Sequence, residues 1–550
     1  MRLRRIMSKK VVKQSLLIGI LTSSFGIFLS KALGLIYYSP LSALAGESNM
    51  SFYSITYTYY DQLLKISSAG IPFAIAALTA RYYAKEDYKT VLLVRKLGTS
   101  VVMALSMVIA LGFLLLSGPL ARQSMGALAS EQDIANLKTL FLILIFAVVL
   151  VPYLSATRGY YQGLKRLDLY ASSQVLEQFV RVFSILLFGY IFVRVFNFDS
   201  IWAIFVAMAA AGIAALLTIF YLKHFTRNDD RHVEELVREQ DTEAESYKTI
   251  LIELLSLGVP YLVISFLGSV SALVNTSYFI KEATASGMPF EQAKLSLGIL
   301  QANCAKLSSI PQVLTLGFSS GLVPYLTESY QKGDDEKIAM QITQIIDTCL
   351  FILIPVILIF VVFSRDIYFI MYGNHNLDLG SSLFRINCIV TFTDTVAPIL
   401  SSIMITLMQR KNAILVLLAS GVIKLLSFKP LVASFGAGGM VYSTVLANGF
   451  VLLAYLIQLT RTFSIDYKKT LRRVVQTLIS TAAMLLPAFG IHSLLHLSYL
   501  SRLKDIIVMG ALGLLMLIIY FIVSSLFRLP QQILGITDIT PRALIQRLRK

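Results

Sequence analysis

Eleven ionisable side chains stand inside stretches that are otherwise apolar. The cations are Lys31, Lys65, Arg181, Lys306, Arg385 and Lys424, and the acids are Asp61, Glu177, Glu253, Asp347 and Asp394. A charge at membrane depth costs about 2.5–3.5 kcal/mol on insertion scales, so each needs a partner or a use. Cations gathered in a poorly solvated cleft focus the field on a phosphate or other anion. Isolated acids bind a cation, carry a proton, or meet a basic residue across helices. Spacing sorts them. Asp61 and Lys65 are four apart, as are Glu177 and Arg181, so on a helix each pair can neutralise itself locally. Asp347 and Asp394 stand alone, with all three uses open to them. Glu253 lies near a helix start and is expected to reach headgroups. Lys424 is expected to snorkel outward, because Lys429 and Pro430 mark a nearby end. Lys31 and Lys306 have no acid within four residues.

The surroundings justify reading these positions as membrane depth. Of 550 residues 56% are apolar and only 14% charged, and the mean hydropathy is +0.72. A soluble chain of this size needs far more polar surface. An ordinary cytosolic enzyme, a disordered chain and a secreted disulfide scaffold are therefore excluded, and an all-α polytopic membrane protein is expected. The net charge of +17, from 48 Lys and Arg against 31 Asp and Glu, does not point to nucleic acid, because the basic residues collect in loops. Cys304, Cys349 and Cys388 are isolated and read as small buried hydrophobes. His492 and His496 sit four apart without a carboxylate or thiol nearby in sequence, a poor metal site. The sequence carries no nucleotide-binding glycine loop, nucleophile–base arrangement or metal cluster. Neither catalysis nor a cofactor is expected.

Spans need about 20 mostly apolar residues. Fourteen candidates meet this: 14–39, 51–82, 91–118, 135–157, 169–194, 200–223, 249–280, 296–327, 337–363, 379–408, 412–433, 438–460, 472–495 and 505–527. Ala43-Leu44-Ala45 resembles a cleavage site, but the first apolar run is long and contains Lys31, so it reads as a retained span. Lys and Arg concentrate in alternate loops, including Arg2, Arg4, Arg5, Lys9, Lys10 and Lys13 before the first span. Arg158, Lys165 and Arg166 follow the fourth, and Lys468, Lys469, Arg472 and Arg473 follow the twelfth. By the positive-inside rule both termini are cytoplasmic.

A polar stretch at 224–248 reads as a solvated cytoplasmic linker with a short helix. It separates a first unit, 1–223, from a second, 249–462. Two further spans occupy 463–527. A tail at 528–550, carrying Leu529, Ile533, Leu534, Ile536, Leu544, Ile545 and Leu548 among basic residues, suits the anionic inner leaflet. The two units begin alike. Each has a helix interrupted by small and polar residues, then a helix with a Pro or Gly break, as in SSAGIPFAIAALTARYY and SSIPQVLTLGFSSGLVPYLTESY. This pattern suits an internal repeat running in one direction.

At about 1.5 Å per residue from the presumed outer ends, Lys31 falls roughly 12–14 Å deep, Lys306 about 15 Å and Lys65 about 21 Å. Three ammonium groups at similar depth, on spans one, eight and two, could converge on a cavity suited to an anionic headgroup. Alternatively, each pairs separately with Asp347 or Asp394.

Four stretches resemble the MOP flippase superfamily, most closely its Gram-positive polysaccharide-transport branch of SpoVB-like and MurJ-like proteins. They are SKALGLIYYSPLSALAG, YDQLLKISSAGIPFAIAALTARYYAKEDY, RGYYQGLKRLDLYASSQVLEQFVRV and AKLSSIPQVLTLGFSSGLVPYLTESY, and the likeness runs over nearly the whole chain. The resemblance implies two six-helix lobes around a central cavity, with two C-terminal helices forming a groove for a lipid tail. It implies alternating access that moves undecaprenyl-pyrophosphate-linked peptidoglycan precursor, lipid II, to the outer leaflet of a bacterial plasma membrane. Cell-wall synthesis or division proteins are the implied partners besides the bilayer itself. The family's pyrophosphate-binding arginines match Lys31, Lys65 and Lys306, where lysine offers a point charge instead of a bidentate fork. Asp61, Glu177, Arg181, Asp347, Arg385 and Asp394 remain candidates for the cavity or for coupling to Na⁺ or H⁺.

Three other readings compete. One is a flippase for a capsular, teichoic or exopolysaccharide unit. A cation-coupled multidrug exporter of the same fold would need acids to dominate the cavity, and the unpaired lysines argue against it. A non-transporting scaffold would leave the buried charges without a purpose.

Overall fold

The computed structural model describes residues 33–34, 37–68, 70–312, 326, 329–330, 332–495 and 501–534. Twelve helices among these are long and apolar enough to cross a membrane. Each overlaps one of the fourteen expected spans. The expected span 14–39 lies mostly, and 296–327 partly, outside the described residues, and Lys31 and His496 lie there too.

The helices are α1 (Tyr38–Ala45), α2 (Met50–Ser68), α3 (Ile71–Ala84), α4 (Tyr88–Met125), α5 (Glu131–Gly163) and α6 (Leu167–Tyr190). After a π-helical turn at Ile191–Val195 come α7 (Trp202–Phe225), α8 (Arg227–Glu239), α9 (Tyr247–Leu267), α10 (Val270–Ala285) and α11 (Phe290–Gly298). A second π-helical turn, Ile299–Cys304, leads into helical residues 305–312. Then follow α12 (Asp335–Val362), α13 (Ser364–Tyr372), α14 (Leu377–Thr406), α15 (Arg410–Phe435), α16 (Ala437–Phe463), α17 (Lys468–Leu495), α18 (Arg502–Leu526) and α19 (Leu529–Leu534). The chain forms two compact units, divided between Ala302 and Asn303.

Local chemistry sets several helix starts. The side chains of Asp87, Ser130, Ser246 and Asp334 each accept a hydrogen bond from a backbone N–H three residues on, satisfying a donor that the first turn leaves free. In the first unit two spans are broken. One parts between α2 and α3, where Pro72 near the start of α3 has no N–H to continue the ladder. The other parts between α9 and α10 at Gly268–Ser269. The second break is tied to the body of α2 by a reciprocal pair: Gln62 Nε2 donates to the Ser269 carbonyl at 3.2 Å, and Ser269 Oγ donates to Gln62 Oε1 at 3.1 Å. Beside them, Gly70 approaches the backbone of α9 so closely that a Cβ on it would lie 2.0 Å from the Gly258 carbonyl oxygen. Only glycine permits that crossing.

Ile71, Ile75, Leu78, Val94, Tyr160, Tyr161, Val233 and Leu254 belong to one buried cluster in this unit. In the second unit, Phe363, Met484, Leu512 and Met516 pack α17 and α18 against the α12–α13 junction. Large apolar residues such as Leu115, Leu426, Leu486 and Leu514 remain exposed, as a chain solvated by lipid requires. The start of the tail departs from expectation. Leu529 and Ile533 are buried beside Phe351 within their own unit and so are not free to lie on the leaflet. The tail from 535 onward lies outside the described residues.

Candidate functional site

In the first unit the charges line two neighbouring helices. On α2, Tyr57, Asp61 and Lys65 recur every four residues. Lys65 Nζ donates to Asp61 Oδ2 at 2.5 Å, with 30% of the lysine and 46% of the aspartate side chain exposed. The pair neutralises locally, as its spacing predicts, yet stays open to solvent. On α6, Ser173, Glu177 and Arg181 form a second row with the same four-residue repeat. Arg181 Nη2 donates to Glu177 Oε1 at 2.5 Å. A third partner reaches in from α5: Arg158 Nη1 donates to Glu177 Oε2 at 2.7 Å, and Arg158 Nε donates to Ser173 Oγ at 2.8 Å. Arg181 also faces Tyr57 and Tyr60 of α2. The buried group therefore holds two guanidiniums and one carboxylate. Arg158 entered the sequence reading only as a loop charge after the fourth span; its place at the end of α5, one row from Glu177, could not be read from spacing.

The polar linker is also more structured than a solvated segment. Arg95 on α4 forks onto both carboxylate oxygens of Asp230 on α8, at 2.8 and 3.2 Å, and Arg166 pairs with Asp229. Asp168 beside it and Asp229 hold the Arg166 guanidinium further in its charged form. Gln240 Nε2 donates to Asp87 Oδ1 at 3.0 Å. Burial pushes the Asp87 carboxyl up, but hydrogen bonds from Thr90 and Gln240 outweigh it and hold the group below its ordinary range. Glu253, expected to reach headgroups, pairs with Arg81 at 3.2 Å and stays partly exposed.

In the second unit the isolated acids find partners. Asp347 has no exposed side-chain surface and is paired with Arg473 of α17, a basic partner across helices. Asp394 is exposed and accepts a hydrogen bond from Asn448 Nδ2 at 2.6 Å. Arg385 is exposed, and its Nε donates to Ser364 Oγ at 3.0 Å. Lys306 lies half-buried on the helical residues 305–312. His492 contacts Asp366 at 2.8 Å. Among the described residues no group of three His, Cys, Asp or Glu side chains could hold a metal ion. The three cysteines are free and buried.

Lys424 overturns its expectation. It does not snorkel outward; it is fully buried between α15 and α16. Its Nζ donates to Ser443 Oγ at 2.7 Å, Thr444 Oγ1 at 2.8 Å and the Met440 carbonyl at 3.3 Å, and lies 5.0 Å from the Phe428 ring centre. Both hydroxyls donate to the Met440 carbonyl at 3.0 Å, which leaves their lone pairs for the lysine. Three oxygens thus meet three N–H groups of an ammonium. Among the described residues no carboxylate lies within ion-pair distance of it. Gly439 permits the close approach, since a Cβ there would sit 2.0 Å from the Leu431 carbonyl oxygen.

The model of the family described as "Polysaccharide biosynthesis protein" matches residues 16–330, more than half of the chain. The chain belongs to the polysaccharide biosynthesis protein family. Among curated relatives it is similar to the lipid II flippase MurJ of Bacillus subtilis strain 168, with 28% identity over 479 residues, 86% of this chain and 88% of that one. Its fold is that of the MOP superfamily. A solved lipid II flippase MurJ in an inward closed conformation superposes with a TM-score of 0.64 at 16% identity, over 92% of this chain and 98% of that one. An inward-facing multidrug resistance MATE transporter of the MOP superfamily gives 0.59 at 12% identity, over 80% and 95%. This family member is therefore a multi-pass membrane protein with a transporter fold.

Proposed function

We propose that the chain is a flippase that moves lipid II, the undecaprenyl-pyrophosphate-linked peptidoglycan precursor, from the inner to the outer leaflet by alternating access. The observation that carries this reading is the likeness to the B. subtilis lipid II flippase over 86% of the chain. The Tyr57–Asp61–Lys65 stripe supports it, because it keeps a partly exposed ammonium on a spanning helix.

In this reading the segments 1–223 and 249–462 are the two lobes, both termini are cytoplasmic, and Lys31, Lys65 and Lys306 receive the pyrophosphate. The lysines act differentially: they hold the anion in one state and release it in the other. Asp61 serves this by competing for Lys65, which keeps the ammonium from binding the headgroup irreversibly. Outward movement of a net anion is favoured by an inside-negative potential, by about 2.3 kcal/mol per charge per 100 mV. An ion gradient acting through Asp394 is the alternative drive. No observation favours a capsular or teichoic unit over lipid II.

The test is functional replacement. A cell depleted of its own lipid II flippase expresses this protein, and lipid II exposed on the outer leaflet is followed. Wild type restores exposure, whereas Lys31→Ala, Lys65→Ala and Lys306→Ala, verified as inserted, do not. Failure of well-inserted wild type rejects lipid II as substrate, and rescue by all three variants rejects the lysine site.

A further inference from the structure

We propose that Glu177 is a built-in stand-in for the substrate's phosphate: a resident counter-anion that the pyrophosphate headgroup displaces from Arg181. The identity of the anion rests on the flippase reading; the displaced carboxylate rests on geometry alone.

Glu177 is divided between two guanidiniums, one on each oxygen, at 2.7 Å to Arg158 and 2.5 Å to Arg181. Neither contact is the two-pronged fork that an arginine prefers with a carboxylate or phosphate. The shortage shows in the unused donors. Arg158 Nη2 and Arg181 Nε are buried and have no hydrogen-bond partner among the described residues. A buried donor left unmet costs about 1–3 kcal/mol, so the cluster is incomplete as it stands. Its formal charge is +1, and one further anion would neutralise it.

The two arginines are not equivalent. Arg158 is anchored twice, to Ser173 and Glu177, and only 9% of its side chain is exposed. Arg181 is more open at 16% and faces Tyr57, which is itself 38% exposed on the Asp61–Lys65 stripe. An anion arriving along that stripe meets Arg181 first. If Glu177 then gives up Arg181 and keeps Arg158, Arg181 is free to fork onto the phosphate. The number of charge-assisted bonds does not fall, so the exchange runs readily in both directions. That reversibility is what a carrier needs.

The test measures binding to the purified full chain in detergent, with farnesyl pyrophosphate and inorganic pyrophosphate as probes. Glu177→Gln removes the competitor and should bind farnesyl pyrophosphate at least tenfold more tightly than wild type while flipping more slowly, because release loses its replacement anion. Arg181→Gln should bind at least tenfold more weakly. If Glu177→Gln folds poorly, the double variant Glu177→Gln/Arg158→Gln restores the +1 charge of the cluster and should still bind more tightly. The proposal is overturned if neither Glu177 variant gains affinity, or if Arg181→Gln binds like wild type. A gain seen with inorganic pyrophosphate while farnesyl pyrophosphate binds to no variant supports the displaced carboxylate and rejects the lipid flippase reading beneath it.

Discussion

The Asp347–Arg473 pair should respond asymmetrically to the loss of either partner. Asp347 has no exposed side-chain surface, whereas 24% of Arg473 is exposed. Arg473→Gln therefore strands a buried carboxylate, a loss of about 3–5 kcal/mol when one member of a buried pair is removed. Asp347→Asn leaves a guanidinium that can still hydrate, and the cost is nearer that of one charged hydrogen bond, roughly 1.5–3 kcal/mol. At roughly 2–4 °C per kcal/mol for a unit of about 250 residues, Arg473→Gln should lower the apparent Tm by about 6–20 °C and Asp347→Asn by about 3–12 °C. The double variant should sit near Asp347→Asn.

The second unit carries its own reporter. Cys304, Cys349 and Cys388 are all buried and all in it, so a thiol-reactive fluorophore reads its unfolding alone. Equal losses from the two single variants, or an Arg473→Gln melt within 2 °C of wild type, would refute the reasoning.

Two further outcomes follow from named contacts. Lys424→Met should melt within about 1.5 kcal/mol of wild type, since the Ser443 and Thr444 hydroxyls keep their bonds to the Met440 carbonyl and the volume is retained. Lys424→Ala should cost about 2–5 kcal/mol for the cavity, read by the same thiol melt. At the linker, the folded Asp87 carboxyl titrates below its unfolded value, so its contribution is fully present above the ordinary carboxylate range and is lost as pH falls through the folded value. The protection of the Lys89 and Thr90 amides, taken relative to the intrinsic exchange rate at each pH, should therefore fall on acidification below pH 4 in wild type, and be low at every pH in Asp87→Ala.

Much of the architecture is legible along the chain, because the length of an apolar run is a one-dimensional property. Each of the twelve described spans coincides with a run of the required length. The pairs Asp61–Lys65 and Glu177–Arg181 are legible for a related reason: a four-residue step puts both side chains on one face of whichever helix contains them. The burial of the cysteines follows from the apolar residues around them.

Other partnerships were not readable, and they share a cause. Arg158 and Arg473 read as loop charges at the ends of spans, but they turn inward to Glu177 and Asp347 on neighbouring helices. The oxygen cage around Lys424 comes wholly from α16. Sequence determined how far along its helix each charge stands, because the rise per residue is constant. Which neighbour that charge meets depends on how each helix is rotated about its axis and how closely two helices cross. Those variables are set by packing at contacts such as Gly70 on Gly258 and Gly439 on Leu431, between residues whose partners lie on other turns of the chain. Tertiary structure alone decided them, and with them which buried charges are already spent and which still have bonds to offer.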